Sequence, residues 1–372
     1  MNIFNSKRNF FRIIKDKSLS LFLIILASCT TTSSNQNNNQ SSVSSRRDEE
    51  YIRPFHHLPD GTFRNPEGSI EREDYDFPWI KFTKERMAIK VNIPKDHVIK
   101  KEEAISQLNA LANEDTITWI GHATFLIKIG DKTIITDPFF SPNAGPVELG
   151  PRRYVDPGIP LSKLPKIDLV LTTHNHYDHL DSDTTKNFPF KKAKVVVPLK
   201  LGSFYKEFGF KDVTELDWHK NIYFDGIKIT LLPAIHWSKR QLFDRNKTLW
   251  GSFLIEYRGR KLLFCCDTAM GEVYKKIGRE YGAIDIAFIN IGAYQPKDIM
   301  KYSHASPEEA LEIGRNLRAR KIIGTHWGTI VMSLEDPFEP PIKFKENARN
   351  FGYDEKDAVV FKIGETKLIK EI

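Results

Sequence analysis

The sequence predicts an α+β fold of two sheets covered by helices, and two features of the chain predict it. Between residues 116 and 138, short β-rich runs follow one another through tight turns, as in a meander. After residue 167, short apolar runs are instead spaced by stretches with helical signals. A third observation says what those sheets carry: four of the runs end directly in histidine or aspartate residues.

The first runs are Thr116-Ile117-Thr118-Trp119-Ile120 and Thr124-Phe125-Leu126-Ile127-Lys128-Ile129, dominated by β-branched and aromatic side chains. The turn Gly130-Asp131-Lys132 leads into Thr133-Ile134-Ile135-Thr136-Asp137-Pro138. Further strands are expected at 167–172, 194–197, 227–232, 252–257, 261–266, 284–289 and 321–324, with helices at 201–208 and 307–317. The second helix has a strong start. Ser306 is placed as N-cap, Pro307 takes the first helical position, and Glu309 completes a capping box.

The N-terminus reads as an address. Residues 7–17 are basic, and residues 18–28 then read Ser-Leu-Ser-Leu-Phe-Leu-Ile-Ile-Leu-Ala-Ser before Cys29. A charged stretch, a short apolar run and small residues make a secretory signal, and the run is too short to span a hydrocarbon core of about 30 Å. Leu26-Ala27-Ser28-Cys29 resembles the bacterial lipobox, which implies cleavage before Cys29 and lipid attachment to it. The expected location is therefore the bacterial cell envelope, lipid-anchored and facing outside the cytoplasm. The expected organisation is a signal at 1–28, a Ser/Asn/Gln-rich tether at 29–50 that cannot bury enough apolar surface to order itself, and a folded domain at 51–372. Its opening, residues 54–79, is rich in turn residues and is expected to wrap the surface.

The formal charge of +7 on 372 residues is concentrated at the start. Lys7, Arg8, Arg12, Lys15 and Lys17 against Asp16 supply +4 of it. A nucleic-acid binder needs a concentrated basic face, so no nucleic-acid partner is expected. Three cysteines are too few for a disulfide scaffold.

His174, His176, Asp178 and His179 lie within six residues, directly after the apolar run Ile167-Asp168-Leu169-Val170-Leu171-Thr172. His236, Asp267 and His326 each follow another strand-like run. Parallel strands that end in such residues deliver them to one edge of a sheet, and imidazole with carboxylate suits Zn²⁺, with Mn²⁺ and Fe²⁺ as alternatives.

His-x-His-x-Asp-His resembles the signature of the metallo-β-lactamase superfamily, in which the later His, Asp and His fall in this order. The flanking motifs are similar to those of N-acylphosphatidylethanolamine-specific phospholipase D enzymes and their bacterial relatives. They include Leu149-Gly150-Pro151-Arg152-Arg153-Tyr154, Glu215-Leu216-Asp217-Trp218, His236-Trp237-Ser238, Ile291-Gly292-Ala293-Tyr294 and His326-Trp327-Gly328-Thr329. The resemblance implies a four-layer αββα sandwich. It assigns His174, His176 and His236 to one metal and Asp178, His179 and His326 to a second, with Asp267 bridging. Two Zn²⁺ would share a water, lower its pKa and present hydroxide as the nucleophile. The residues expected to carry the reaction are Asp178, Asp267 and His304, the last lying two residues before the Ser306 N-cap and facing the substrate phosphate or leaving group. Asp137 is expected to orient a ligand, and His122 to be either site wall or a structural histidine.

Trp237, Trp250, Tyr294 and Trp327 line an acyl groove or belong to the core, and His56 and His57 are expected at the surface. Cys265-Cys266 departs from the small residues usual before the bridging aspartate; core packing is expected for the pair. The function implied is a phosphodiesterase that cleaves N-acylphosphatidylethanolamine or a related phospholipid to N-acylethanolamine and phosphatidic acid, with a membrane partner through lipidated Cys29. The alternatives are a hydrolase of the same fold acting on another substrate, such as a sugar-phosphate lactone, and a non-catalytic metal-binding lipoprotein.

Overall fold

The computed structural model describes residues 54–72, 76–146, 150–265 and 267–372. The expected signal, the tether and Cys266 lie outside the described residues. Every element below lies in one compact unit, Phe55–Arg240 with Asp244–Ile372.

The strands are β1 (Thr116–Gly121), β2 (Thr124–Ile129), β3 (Lys132–Thr136), β4 (Leu169–Leu171), β5 (Lys194–Pro198), β6 (Val213–Leu216), β7 (Asn221–Phe224), β8 (Ile227–Leu232), β9 (Ser252–Tyr257), β10 (Arg260–Phe264), β11 (Ile286–Asn290), β12 (Lys321–Thr325), β13 (Ala358–Val359) and β14 (Thr366–Leu368). The helices are α1 (Trp79–Ala88), α2 (Lys101–Ala110), α3 (Ser182–Asn187), α4 (Gly202–Glu207), α5 (Val273–Glu280), α6 (Lys297–Met300), α7 (Pro307–Asn316) and α8 (Glu339–Asn347).

Two seven-stranded sheets result, in the orders β14-β1-β2-β3-β4-β5-β6 and β13-β12-β11-β10-β9-β8-β7. In the first, β1, β2 and β3 are antiparallel and β3 to β6 parallel. In the second, β7 to β10 are antiparallel and β10 to β13 parallel. It follows that β1, β3 and β4 run one way, and that β8, β10 and β12 share a direction in their own sheet.

Side chains alternate along each strand because successive Cβ atoms point to opposite faces. Phe125 and Ile127 of β2, Ile134 of β3, Leu169 and Leu171 of β4 and Val196 of β5 enter the core between the sheets. There Phe125 meets Phe288 of β11 with ring centroids 5.1 Å apart. Their neighbours Leu126, Ile135, Val170, Val195 and Val197 face the other way, into a second core with Ala104 of α2 and Tyr205 of α4. On the second sheet α7 lies over β11 and β12, and Leu311 and Ile313 of α7 with Phe344 of α8 extend the main core. Burial on both faces is why these strands read as unbroken apolar runs. The α+β class and the αββα layering are those the sequence predicted.

Most expected element ends shift by one or two residues. The capping box at α7 forms as read, with Ser306 and Glu309 each taking the other's backbone N–H. The edge strands β6 and β7 gave no signal; β7 alternates exposed and half-buried residues and has no apolar run to detect.

The segment 55–72 corrects two expectations. It does not merely wrap the surface, since Phe63 is 2% exposed and part of the main core. His56 and His57 are not free surface residues. Their Nε2 atoms donate to separate oxygens of Asp217, at 2.6 and 2.8 Å, and His56 stacks on Trp218. The Asp217 carboxylate, just beyond β6, is half-buried, and two imidazole N–H groups satisfy it. The three side chains form a clamp that fastens this segment to the sheet edge.

Candidate metal centre

Six strands that share their direction within each sheet end in the residues of one site. His122 follows β1, Asp137 follows β3, the His174–His179 loop follows β4, His236 follows β8, Asp267 follows β10 and His326 follows β12. At three of these exits the backbone turns in the left-handed region, with φ of +56° at His122, +34° at Asp137 and +62° at His326. Non-glycine residues hold that conformation only where surrounding contacts over-determine it. Gly292 is required for such packing: a Cβ there would sit 2.3 Å from the carbonyl oxygen of His326.

The structure brings all seven sequence-selected residues together, in two groups. In the first, Nε2 of His174 lies 2.9 Å from Nδ1 of His176, and Nε2 of His236 lies 3.2 Å from that same atom. In the second, Oδ2 of Asp178 lies 3.2 Å from Nε2 of His179 and 3.3 Å from Nε2 of His326. Asp267 stands between them. Its Oδ2 is 3.2 Å from His179, 3.1 Å from His326 and 3.8 Å from Nε2 of His236.

These spacings fit metal ions. Donors 2.0–2.1 Å from a tetrahedral Zn²⁺ are separated by roughly 3.3 Å, close to what both groups show. Oδ1 of Asp267 is buried and makes no hydrogen bond, a costly state for a carboxylate that a cation would relieve. The tautomers agree. His179 donates through Nδ1 to Oδ2 of Asp137 at 2.8 Å, and His236 through Nδ1 to the carbonyl of Ser303 at 3.0 Å. Nδ1 of His174 lies 3.0 Å from Thr173 Oγ1, which itself donates to Asp137. Each ring therefore turns a lone pair toward the shared centre.

Electrostatics point the same way. Burial pushes His176 and His236 down to about 3 and His174 well below the ordinary imidazole value, so all three are neutral near pH 7. Burial works against ionised Asp178 and Asp267, but the surrounding imidazoles, His179 foremost, hold both well below the usual carboxylate range. Burial also opposes protonation of His326, yet Asp267 and Asp178 raise it to about 9. The two carboxylates demand positive charge at this point.

Asp137 is fully buried and accepts from Thr173 N at 2.8 Å and Thr173 Oγ1 at 2.7 Å, besides holding His179. It is a positioning residue. Asp137→Ala is expected to weaken metal binding by roughly 10–100-fold, measured by titration of the chelator-stripped protein; unchanged affinity would show that His179 needs no such support. His122 is a wall residue whose Nε2 donates to Oδ2 of Asp178 at 2.9 Å. His304 also reaches the site: its Nδ1 is 3.9 Å from Oδ2 of Asp267, and its ring lies between those of His236 and His326 at 5.3 and 5.2 Å.

Of the four aromatics weighed for an acyl groove, Trp237 stands at the site, edge-on to His176 at 4.3 Å. Trp250 and Trp327 are core residues whose indoles donate to the carbonyls of Ala234 and Gly324. Tyr294 is buried and bonded to Glu339. Cys265 is buried in the main core as expected, and burial pushes its thiol well up. Two contributors were not singled out from the sequence as site residues. His97 donates to the carbonyl of Gly328 at 2.6 Å, among Trp119, Trp327 and Phe338, and supports the His326 loop. Asn65 accepts from the backbone N–H of His236 at 2.9 Å.

The fold and this site define a metal-dependent hydrolase of the metallo-β-lactamase type. The family described as "Beta-lactamase superfamily domain" matches residues 132–327, and the chain belongs to it. It is 39% identical over 243 residues to N-acyl-phosphatidylethanolamine-hydrolyzing phospholipase D 1 of Caenorhabditis elegans, covering 62% of this chain and 68% of that one. It is 33% identical over 247 residues to the mitochondrial N-acyl-phosphatidylethanolamine-hydrolyzing phospholipase D of Saccharomyces cerevisiae, covering 64% of this chain and 53%, about half, of the yeast protein. Among solved structures, isothiocyanate hydrolase from Delia radicum gut bacteria shares the fold, with a TM-score of 0.55 at 21% identity over 68% of this chain and 98% of that one.

Proposed function

We propose that the protein is a phosphodiesterase of the phospholipase D type, acting on N-acylphosphatidylethanolamine or a related phospholipid. The hydrolase class rests on the centre itself. The substrate reading is carried by one observation, the 39% identity to a nematode enzyme whose name states that reaction. Two Zn²⁺ suit the donor set, which mixes imidazole with carboxylate. When bound, the cations supply Lewis acidity to a phosphoryl oxygen and ionise water near neutral pH. His174, His176 and His236 would hold one, and Asp178, His179 and His326 the other, with Asp267 shared between them.

The chain's own residues set the rest. Asp137 and Ser303 fix the rings of His179 and His236. His304, held neutral because burial lowers it to about 3, meets the substrate phosphate as a hydrogen-bond donor through one ring nitrogen, not as an imidazolium. The oxygen of water bonds to phosphorus, the phosphorus–oxygen bond to the ethanolamine side breaks, and the departing alkoxide takes a proton.

Metal-loaded protein in ¹⁸O-water should convert N-acylphosphatidylethanolamine to unlabelled N-acylethanolamine and to phosphatidic acid carrying the label. Label in a free fatty acid, or no turnover, would reject the assignment.

We infer further that Cys29 bears a lipid that anchors the enzyme to an envelope membrane, on the strength of Leu26-Ala27-Ser28-Cys29 alone. Cys29→Ala should move the protein from the membrane fraction to the soluble one; a soluble wild type would refute the anchor.

A further inference from the structure

We propose that a cavity beside His236 is an anion subsite, selecting phosphodiesters that carry a second negative group beyond the scissile phosphate. The inference rests on the phosphodiesterase reading and narrows its substrate class. The cavity measures about 230 Å³. One wall is the segment 55–72, contributing Phe55, Arg64 and Arg72, and the facing wall is His236, Trp237 and Arg245. Among the described residues, Arg64, Arg72 and Arg245 thus line it together with one acid, Glu71.

Two of these guanidiniums are held in place. Arg64 donates through Nε to the carbonyl of Phe55 at 2.6 Å, and its guanidinium carbon sits 3.5 Å from the centre of the Phe55 ring. Among the described residues no carboxylate lies within ion-pair distance of Arg64. The guanidinium of Arg245 lies 4.7 Å from the Trp237 ring, which in turn packs edge-on against His176 at 4.3 Å. A continuous stack therefore runs from an arginine in this cavity to the first metal group. A planar guanidinium recognises phosphate or carboxylate through paired hydrogen bonds, which gives direction as well as charge.

The wall is also registered to the catalytic centre. Asn65 bonds the backbone of His236, and the clamp of His56 and His57 on Asp217 fastens the segment behind it. Residues 55–72, which bring Arg64 and Arg72, lie outside the 132–327 stretch that matches the superfamily, whereas the facing wall with Arg245 lies within it. N-acylphosphatidylethanolamine has one negative group, its phosphate, which the metal centre engages. A lipid with two phosphodiesters, such as a diphosphatidylglycerol, also fills the arginine-lined cavity.

The test compares kcat/KM for diphosphatidylglycerol and N-acylphosphatidylethanolamine in the same neutral mixed micelles, with soluble bis(p-nitrophenyl) phosphate as a third substrate. The wild type should favour the two-phosphate lipid by roughly tenfold or more, the value of one or two charge-assisted hydrogen bonds. Arg64→Glu and Arg245→Glu should collapse that ratio toward one, and Arg64→Lys should restore part of it. A ratio near one in the wild type, or one unchanged in the charge reversals, overturns the subsite. Failure to hydrolyse all three diesters overturns the phosphodiesterase reading and this inference with it; turnover of bis(p-nitrophenyl) phosphate without lipid discrimination overturns the subsite alone.

Discussion

Asp267→Asn is expected to lower diester hydrolysis by roughly 10³–10⁴-fold and to reduce the bound metal from two ions per chain to one or fewer. The substitution keeps the shape and removes only the charge. Asp267 is the residue whose oxygen approaches donors of both groups, at 3.1 and 3.2 Å on one side and 3.8 Å on the other. Its second oxygen is buried without a hydrogen bond. An amide in its place would aim N–H donors at nitrogen lone pairs and withdraw the charge that offsets a pair of cations. Losing charge stabilisation of a few kcal/mol in the transition state costs about one decade in rate per 1.36 kcal/mol. Asp178→Asn makes the control, because Asp178 touches only the second group; it should cost one ion and leave the His174, His176 and His236 group loaded. Elemental analysis beside initial rates reads both. An Asp267→Asn protein that retained two ions and near-native rates would remove the bridging role.

The clustered residues were legible in the sequence because they come in register with strand ends. A run buried on both faces is conspicuous, and a histidine or aspartate immediately after it cannot be an interior residue of the strand. His174, His236, Asp267 and His326 are all placed in this way, so both the layer architecture and the donor set could be read together. The supporting residues were less accessible. Asp137 resembles any turn aspartate before a proline until Thr173 and His179 are seen to converge on it. Asn65, His97 and the clamp of His56 and His57 act across 160 or more residues in sequence, through single hydrogen bonds that leave no periodicity. The aromatic motifs misled for the opposite reason. Trp327 directly follows His326 in sequence, yet it and Trp250 bury their indoles in the core, each bonded to a backbone carbonyl. Sequence adjacency to a ligand therefore says little about which side chains meet a substrate.

Removing the metal should make the protein acid-labile in a window fixed by the imidazoles. His122, His176, His236 and His304 are each pushed by burial from an ordinary 6.5 to about 3. Between those values the unfolded chain binds protons that the folded chain refuses, so stability is present above pH 6.5 and is lost as pH falls toward 3. For one such group at pH 5 the loss is on the order of 2 kcal/mol. His326 has the opposite sign. Raised to about 9 by Asp267 and Asp178 against its burial, it stabilises below pH 6.5 and loses that contribution as pH rises through 9. The stripped protein should therefore be most resistant to urea near pH 6.5 and weaker on both sides. Loading the centre changes both limbs, because cations bound to the ring nitrogens compete with protons and occupy the position where His326 otherwise needs one. The loaded protein should stand above the stripped one and lose the decline above pH 6.5 that His326 otherwise causes, while still weakening below pH 6.5, because the unfolded chain takes up protons that the metal-bound rings and the buried His122 and His304 refuse. If the stripped and loaded proteins gave the same midpoint-against-pH curve, the buried imidazoles would not be metal ligands, and the cluster would be a neutral hydrogen-bonded core.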